Sequence, residues 1–275
     1  MKKIYLLCIF IFMGLFFAKI ERENLNIIVY LNNDGTAHVI EQNKYFIEGN
    51  HSITQYQSIL RSFETKNDLA FWSTTIGKDA PTFHVDPGTG RSNVVIAPSD
   101  IYIYSIYSET ARAYITVEYD IGIEKTENQS TGVFIIKQIK PRTNEYVLNT
   151  DAIRFEKNEY GDVFLPDNTG LEFILPNEIV LTAVRPFPAS LEERNLPRYD
   201  VGSLRWENEV HLARFSIVFQ KEDRLDEEMM NFFSLWEKKI VNMVTGPEGW
   251  AVVLICVIII VSYIAIQNVK RKSGE

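Results

Sequence analysis

Apolar and polar residues alternate through the middle of this chain, and this alternation limits the fold more than any other feature. It is clearest between Arg112 and Ile123, where one set of alternate side chains is apolar and the other is mostly polar. The apolar set is Ala113, Ile115, Val117, Tyr119, Ile121 and Ile123. Successive side chains of a strand point to opposite faces of a sheet, so the pattern predicts an antiparallel strand with one buried face.

The same alternation recurs along the chain, with turn-forming residues between the repeats. Further candidate strands span residues 26–31, 36–47, 82–85, 93–97, 101–107, 133–139, 145–149, 171–175, 178–184 and 211–220. Many short strands with regular turns predict a mainly β fold, an antiparallel β-sandwich built as one large sandwich or as two packed ones. Polar residues 124–131 are the best boundary between a first β half, residues 21–124, and a second, residues 132–224.

One segment has the period of a helix instead. Apolar residues recur there at steps of three and four after Ser52, which suits the N-cap position. They are Ile53, Tyr56, Leu60 and Phe63. The sequence therefore predicts a small helical insertion near residues 52–76, with a second short helix near Asp68 to Trp72.

Both ends of the chain carry apolar runs. Residues 1–20 join Lys2 and Lys3 to about fifteen apolar residues, the pattern of a signal peptide or a signal anchor. Cleavage after Ala18 and retention of the segment as an anchor are both open, because Ala18 suits a cleavage site and the bulky Phe16 does not.

The second apolar run predicts a transmembrane helix over residues 249–267. It is long enough to span roughly 25 Å at the rise of an α-helix. Its membrane anchors are Trp250 at the outer edge and Lys270, Arg271 and Lys272 on the cytoplasmic side. We therefore expect a single-pass protein of the cell membrane, with an extracytoplasmic β-rich ectodomain and a cytoplasmic tail, residues 268–275.

An amphipathic helix is predicted just before the membrane segment, over residues 225–245. Its apolar residues recur at steps of three and four. They are Leu225, Met229, Phe232, Trp236, Ile240 and Met243. This juxtamembrane helix would either pack on the sandwich or lie on the outer membrane surface.

Candidate chemical sites are sparse. The two cysteines, Cys8 and Cys256, lie in the apolar runs, so we expect no disulfide and no thiol chemistry between them. Only His84 and Asp86 place two metal-binding side chains on one strand face, and a metal site needs three or four ligands. We therefore expect no metal, no cofactor and no catalysis.

Three patterns point to other roles. Asn50 and Asn128 begin Asn-x-Ser triplets in predicted loops and are candidates for N-glycosylation. A group of tyrosines would either line a carbohydrate or protein contact or pair across strands of a sheet. These tyrosines are Tyr102, Tyr104, Tyr107 and Tyr114. Acidic residues are plentiful enough to supply a carboxylate pair for glycoside hydrolysis, although no pattern marks which pair.

The stretch Asn32-Asn33-Asp34-Gly35 contains side chains that could hold a cation. Calcium needs six to eight oxygen ligands spread along a longer loop, and this stretch has a single acid. Gly35 offers the positive φ angle that a tight hairpin needs. We therefore expect a hairpin that serves the fold.

Three stretches carry a resemblance to known proteins: VYLNNDGTAHVIEQ at 29–42, LEFILPNEIVLTAVRPFP at 171–188 and LRWENEVHLARFSIVF at 204–219. Together with the anchor, they make the chain resemble uncharacterised archaeal and other prokaryotic single-pass surface proteins. The resemblance implies an outward-facing β domain of unknown function, and it supplies no catalytic residue.

These patterns predict a membrane-anchored protein that binds another protein or a cell-envelope component, or that serves as a subunit of a membrane complex. The formal net charge of -8 disfavours nucleic acid as a partner. Two alternatives are an ectoenzyme that hydrolyses envelope glycans and a ligand-sensing ectodomain that signals through a partner.

Overall fold

A computed structural model describes residues 19–222, apart from 104–108, 127–128, 190, 192–195, 200 and 208–210. Strands dominate this part of the chain, which confirms the predicted mainly β class. None of its helices is long and apolar enough to cross a membrane. Outside the described residues lie Asn128, most of the predicted signal segment 1–20, the predicted helix 225–245, the predicted membrane segment 249–267 with its anchors, and the tail 268–275.

The strands of the described part are β1 (Lys19–Leu31), β2 (Ala37–Glu48), β3 (Arg91–Pro98), β4 (Tyr102–Ile103), β5 (Thr110–Ile121), β6 (Glu124–Lys125), β7 (Gln129–Thr131), β8 (Phe134–Lys140), β9 (Thr143–Leu148), β10 (Val163–Phe164), β11 (Thr169–Ile174), β12 (Ile179–Arg185), β13 (Arg198–Tyr199), β14 (Ser203–Glu207), β15 (His211–Leu212) and β16 (Ser216–Glu222). The helices are α1 (Asn50–Arg61), α2 (Phe63–Lys66) and α3 (Leu69–Ile76), with short 3₁₀ turns at Gly77–Asp79 and Thr150–Ala152.

These strands form two seven-stranded sheets and a small pair, β10 with β15. Sheet 1 has the order β14-β11-β1-β2-β5-β3, and β4 also pairs with β5. Sheet 2 has the order β13-β12-β16-β9-β8-β7-β6. Buried side chains of both sheets belong to one hydrophobic cluster, so the sheets pack face to face as layers around a shared core.

One strand pairing departs from the predicted antiparallel arrangement. β1 lies parallel to β11, with Leu25 opposite Thr169 and Tyr30 opposite Ile174, and sheet 1 is therefore mixed. A parallel neighbour requires a long crossover, and the chain makes it through the helical insertion and half of sheet 2. The pairing also joins residues from both sides of the polar segment 124–131.

Two hydrophobic clusters share the inward face of sheet 1. Its three longest strands, β1, β2 and β5, extend beyond the area that sheet 2 covers. Over one half of these strands, residues such as Val39 and Val117 pack on sheet 2 in the sheet cluster. Over the other half, Tyr45 and Ala113 pack against the helices in the helix cluster.

The helices occupy the region where the sequence predicts an insertion, but α1 begins differently from the prediction. Its N-cap is Gly49, and Ser52 is buried inside the first turn. The Ser52 hydroxyl donates to the Glu48 carbonyl oxygen at 2.6 Å and accepts the Lys19 N–H at 2.9 Å. Ser52 therefore fastens the helix to β1 and β2.

The first hairpin, between β1 and β2, reaches across to sheet 2. Within the turn, Asp34 Oδ1 accepts the N–H and the hydroxyl of Thr36 at 3.0 and 2.7 Å. The Asn33 carbonyl oxygen accepts the Tyr146 hydroxyl at 3.3 Å, and Asn33 Oδ1 accepts Lys221 Nζ at 2.8 Å. These contacts give the Asn-Asp stretch a structural role.

Replacing Gly35 with alanine is expected to destabilise the protein. Gly35 has a φ of +88°, and an added Cβ would overlap Cδ1 of Ile136 in β8. We expect a cost of about 1–2 kcal/mol for the left-handed backbone and roughly 0.5–1.5 kcal/mol for turning the end of the Ile136 side chain away from the added Cβ. The measurement is the urea midpoint of the full chain, followed by pulse proteolysis.

The matched control is Gly90→Ala. Gly90 has nearly the same φ, +89°, and no atom lies within 4 Å of its added Cβ, so this variant carries the backbone cost without an overlap. Equal midpoints for the two variants would contradict the expected overlap with Ile136.

Candidate functional site

A buried carboxylate lies where the two hydrophobic clusters meet. Glu41 and Asn43 occupy consecutive inward positions of β2, between Val39 of the sheet cluster and Tyr45 of the helix cluster. Both polar residues are 0% exposed. A carboxylate in such a place is tolerated only when it is paired and hydrogen-bonded.

Three donors satisfy Glu41. Its Oε1 accepts the backbone N–H of His84 at 2.7 Å and the hydroxyl of Tyr119 at 2.5 Å. Its Oε2 lies 2.6 Å from His84 Nδ1, within hydrogen-bond distance. These three residues, the Glu41 cluster, tie the segment 82–86 to the middle of sheet 1.

Tyr119 stays a hydrogen-bond donor within this cluster. Its hydroxyl accepts the Val85 N–H at 3.3 Å and lies 3.1 Å from the Val85 carbonyl oxygen. Burial, reinforced by the negative charge of Glu41, raises the pKa of Tyr119. The phenol therefore remains protonated at physiological pH and continues to satisfy Glu41.

A pocket of about 520 Å³ lies beside the Glu41 cluster. Residues 86–87 form one wall and the segment 151–157 forms the other, and an antiparallel bridge between Val85 and Ile153 holds the two together. We call this the rim pocket, and its lining residues are Asp86, Pro87, Asp151, Ile153, Arg154, Phe155 and Lys157. The Phe155 ring connects it to the cluster by stacking on His84, at 5.1 Å between ring centroids and 28° between planes.

Ion pairs hold the charged side chains of the rim pocket. Asp86 Oδ2 lies 2.7 Å from Arg91 Nη1 and 3.6 Å from Arg154 Nη2, and Lys157 Nζ lies 3.0 Å from Asp151 Oδ1. Burial opposes the ionisation of Asp86, but the Gly88 N–H and the two guanidinium groups outweigh it and hold the Asp86 pKa below its usual value. Asp86 is therefore a carboxylate acceptor at neutral pH.

Asp86 is not suited to be the general acid of a glycoside hydrolase. A general acid for that reaction needs a carboxyl whose pKa is raised, whereas that of Asp86 is lowered. Thr82, His84 and Glu41 form a chain of contacts in the order hydroxyl, imidazole and carboxyl. Its first link is Thr82 Oγ1, which lies 3.4 Å from His84 Nε2. Because Glu41 also binds the His84 N–H and Tyr119, this chain of contacts is best explained as an anchor for the segment 82–86.

The strand predicted at residues 82–85 is reduced in the structure to a single bridge at Val85. The two candidate metal ligands of this segment have different partners: His84 contacts Glu41, and Asp86 lines the rim pocket. In the described ranges no group of three His, Cys, Asp or Glu residues is placed to hold a metal ion.

The other predicted residues lie apart from the rim pocket. Asn50 is exposed, but it is the first residue of α1 and lies in no loop, and its Nδ2 donates to Glu109 Oε1 at 3.4 Å. Tyr102 and Tyr114 meet edge to face across neighbouring strands, with 6.5 Å between their ring centroids. Tyr104 and Tyr107 fall outside the described residues.

Sequence reasoning missed Glu41, although one signal was present. The inward set of β2 is Ala37, Val39, Glu41, Asn43, Tyr45 and Ile47. Two polar residues therefore stand inside an otherwise apolar alternation, and such a break marks a buried polar contact.

A second surface lies along the edge of sheet 1. β3 and β4 follow each other beside β5, and in the described part of the chain no strand covers their outer side. Four apolar side chains here are about half exposed, and together they define the β3–β4 edge: Val94, Val95, Tyr102 and Ile103.

Comparison of the sequence with models of known families and with curated proteins finds no match.

Proposed function

We propose that this chain is a membrane-anchored, extracytoplasmic β-sandwich protein that binds a partner protein of the cell envelope or of a membrane complex, without catalysis. The apolar runs and their flanking lysines support the location, as does the resemblance to prokaryotic single-pass surface proteins. The observation that carries the binding role is the β3–β4 edge, where apolar side chains lie along a strand edge that no other strand of the described residues pairs with.

An open strand edge is a template for a further strand. Its unpaired N–H and C=O groups can hydrogen-bond an extended segment, and its side chains can select that segment. Val95 and Tyr102 are 53% and 57% exposed, so both can contact an incoming strand. A bulge between Ser92 and Val95, and Pro98 at the end of β3, keep the open stretch short and disfavour edge-to-edge pairing of copies of this chain.

Charge indicates which partner segment fits. The two cations along this edge are already paired, Arg91 with Asp86 and Arg112 with Glu23. In contrast, Asp100 and Glu118 make no ion pair within the described residues, and Glu118 lies opposite Val95 in the register of β3 with β5. The occupant that this surface fits is an extended segment of another protein that alternates apolar residues with Lys or Arg.

Cysteine cross-linking in the native cells tests location and binding together. Val95→Cys is made in a background where Cys8 and Cys256, the two cysteines of the chain, are serine. A membrane-impermeant maleimide that carries a photo-cross-linker is added to intact cells. We expect labelling without permeabilisation, and then one adduct whose linked peptide alternates apolar and basic residues. The matched control is Ile139→Cys on sheet 2, where the native side chain is 40% exposed.

Each other outcome removes a specific part of the proposal. Labelling that requires permeabilisation would refute the extracytoplasmic location. Labelling without an adduct, or the same adduct from the Ile139→Cys control, would refute the β3–β4 edge as the binding surface. An adduct with a second copy of this chain would refute the proposed class of partner.

A further inference from the structure

We propose that the rim pocket is a binding site for a neutral carbohydrate. The site shares no lining residue with the β3–β4 edge, and the inference does not rest on the proposed binding of a protein. Four of its features support this ligand class: size, charge balance, a fixed aromatic ring and paired donors and acceptors.

The size of the pocket suits one or two sugar rings. Its volume of about 520 Å³ lies within the range of small-molecule sites, which is roughly 300–1,000 Å³. Because its walls are two segments joined by backbone hydrogen bonds, such as Arg154 N–H to the His84 carbonyl at 2.8 Å, the pocket exists before a ligand arrives. A preformed site loses less conformational entropy on binding.

The charge of the lining disfavours an ionic ligand. Two carboxylates, Asp86 and Asp151, and two cations, Arg154 and Lys157, cancel formally. Each carboxylate already has a cationic partner: Asp86 lies 2.7 Å from Arg91, which is not part of the lining, and 3.6 Å from Arg154, and Asp151 lies 3.0 Å from Lys157. An anion or a cation would compete with these ion pairs, whereas a neutral ligand would leave them intact.

Hydroxyl groups can use these pairs without breaking them. A carboxylate keeps free lone pairs beside its ion pair, and a guanidinium keeps free N–H groups. A sugar hydroxyl both donates and accepts, so two neighbouring hydroxyls can bind Asp86 and Arg154 at the same time. The Arg154 side chain is 56% exposed and therefore accessible to a ligand.

Phe155 supplies part of the small apolar surface of the pocket, against which the C–H face of a sugar ring can pack. One face of this ring stacks on His84, which the buried Glu41 holds through a 2.6 Å contact. The Glu41 cluster thus fixes the orientation of Phe155 from behind, while Phe155 also lines the pocket. This connection gives the buried carboxylate a part in ligand binding.

Calorimetric titration of the full chain in nanodiscs tests the proposal. The neutral probes are maltopentaose, cellopentaose, mannopentaose and chitopentaose, and the charged probes are the anions hexagalacturonate and inorganic phosphate and the cation trilysine. We expect at least one neutral probe to bind, with a Kd that changes less than about twofold between roughly 0.05 and 0.5 M salt. Arg154→Ala should weaken that binding about tenfold by removing hydrogen bonds to hydroxyl groups.

Arg61→Ala, an exposed arginine at the end of α1, is the matched control and should bind like the native chain. Phe155→Ala is a second variant that should also weaken binding, with its circular dichroism spectrum reporting whether the chain is folded. The proposal is overturned if no neutral probe binds, if a charged probe binds more tightly and with strong salt dependence, or if Arg154→Ala binds as well as Arg61→Ala.

Discussion

Replacing Glu41 with alanine is expected to lower the free energy of unfolding by about 2–6 kcal/mol, because it removes a buried carboxyl group that is hydrogen-bonded by several partners. The His84 N–H and the His84 imidazole lose their partner in a dry site, whereas the Tyr119 hydroxyl keeps the Val85 carbonyl oxygen at 3.1 Å. Each unsatisfied donor adds a desolvation cost of about 1–3 kcal/mol. The measurement is the urea midpoint of the full chain, together with hydrogen exchange of the segment 82–86.

Two further variants distinguish the loss of the Glu41–His84 contact from a general effect of removing a glutamate. Glu118→Ala makes the same chemical change on the outward face of β5, where the side chain has no ion pair in the described part of the chain, and should change stability by about 0.5 kcal/mol or less. Glu41→Ala combined with His84→Ala should cost less than the sum of the single variants, because each already removes the shared contact. Strict additivity would show that Glu41 and His84 do not stabilise each other.

The alternation of apolar and polar residues predicted most of the strands of the sheets. The inward set read from β5, Ala113 to Ile121, is buried in the structure, and the helical period after Gly49 corresponds to α1. Both follow from local geometry, because the period of a strand or helix decides which side chains share a face. Strand pairing is not local in this sense. The parallel contact of β1 with β11 connects Leu25 to Thr169, and no period in either strand indicates its neighbour.

The sequence indicated only part of the candidate site, because local periodicity can be read from the sequence and long-range pairing cannot. Glu41 stood out only as an interruption of an apolar face, and its partner His84 lies 43 residues away in the chain. The rim pocket depends on a bridge between Val85 and Ile153. Val85 lies in the predicted strand 82–85, but Ile153 lies in no predicted strand, and no local pattern indicates that the two residues pair. The sequence alone could therefore show that a polar residue interrupts the apolar face of β2. Its hydrogen-bond partner, His84, follows only from the fold.

Replacing Trp72 with alanine is expected to lower stability by about 3–5 kcal/mol through loss of a large buried side chain. Trp72 is 0% exposed, its ring lies 5.0 Å from that of Tyr56, and its Nε1 donates to the Lys66 carbonyl at 2.9 Å. Since these contacts all lie in the helix cluster, we expect the loss to be local. Hydrogen exchange of the full chain should show faster exchange across α1 and α3, with β9, β12 and β16 unchanged.

Trp206→Ala is the matched control on the other side of the Glu41 cluster. Trp206 is 3% exposed, packs against Phe215 at 5.2 Å between ring centroids, and donates its Nε1–H to the Pro186 carbonyl at 3.0 Å. Trp206 belongs to the sheet cluster, so this variant should speed hydrogen exchange in β9, β12 and β16 and leave exchange in α1 unchanged. The polar residues Glu41 and Asn43 lie between the sheet cluster and the helix cluster. We therefore expect the two clusters to unfold locally in separate steps. Equal loss of protection across both clusters in either variant would show that they unfold as one cooperative unit.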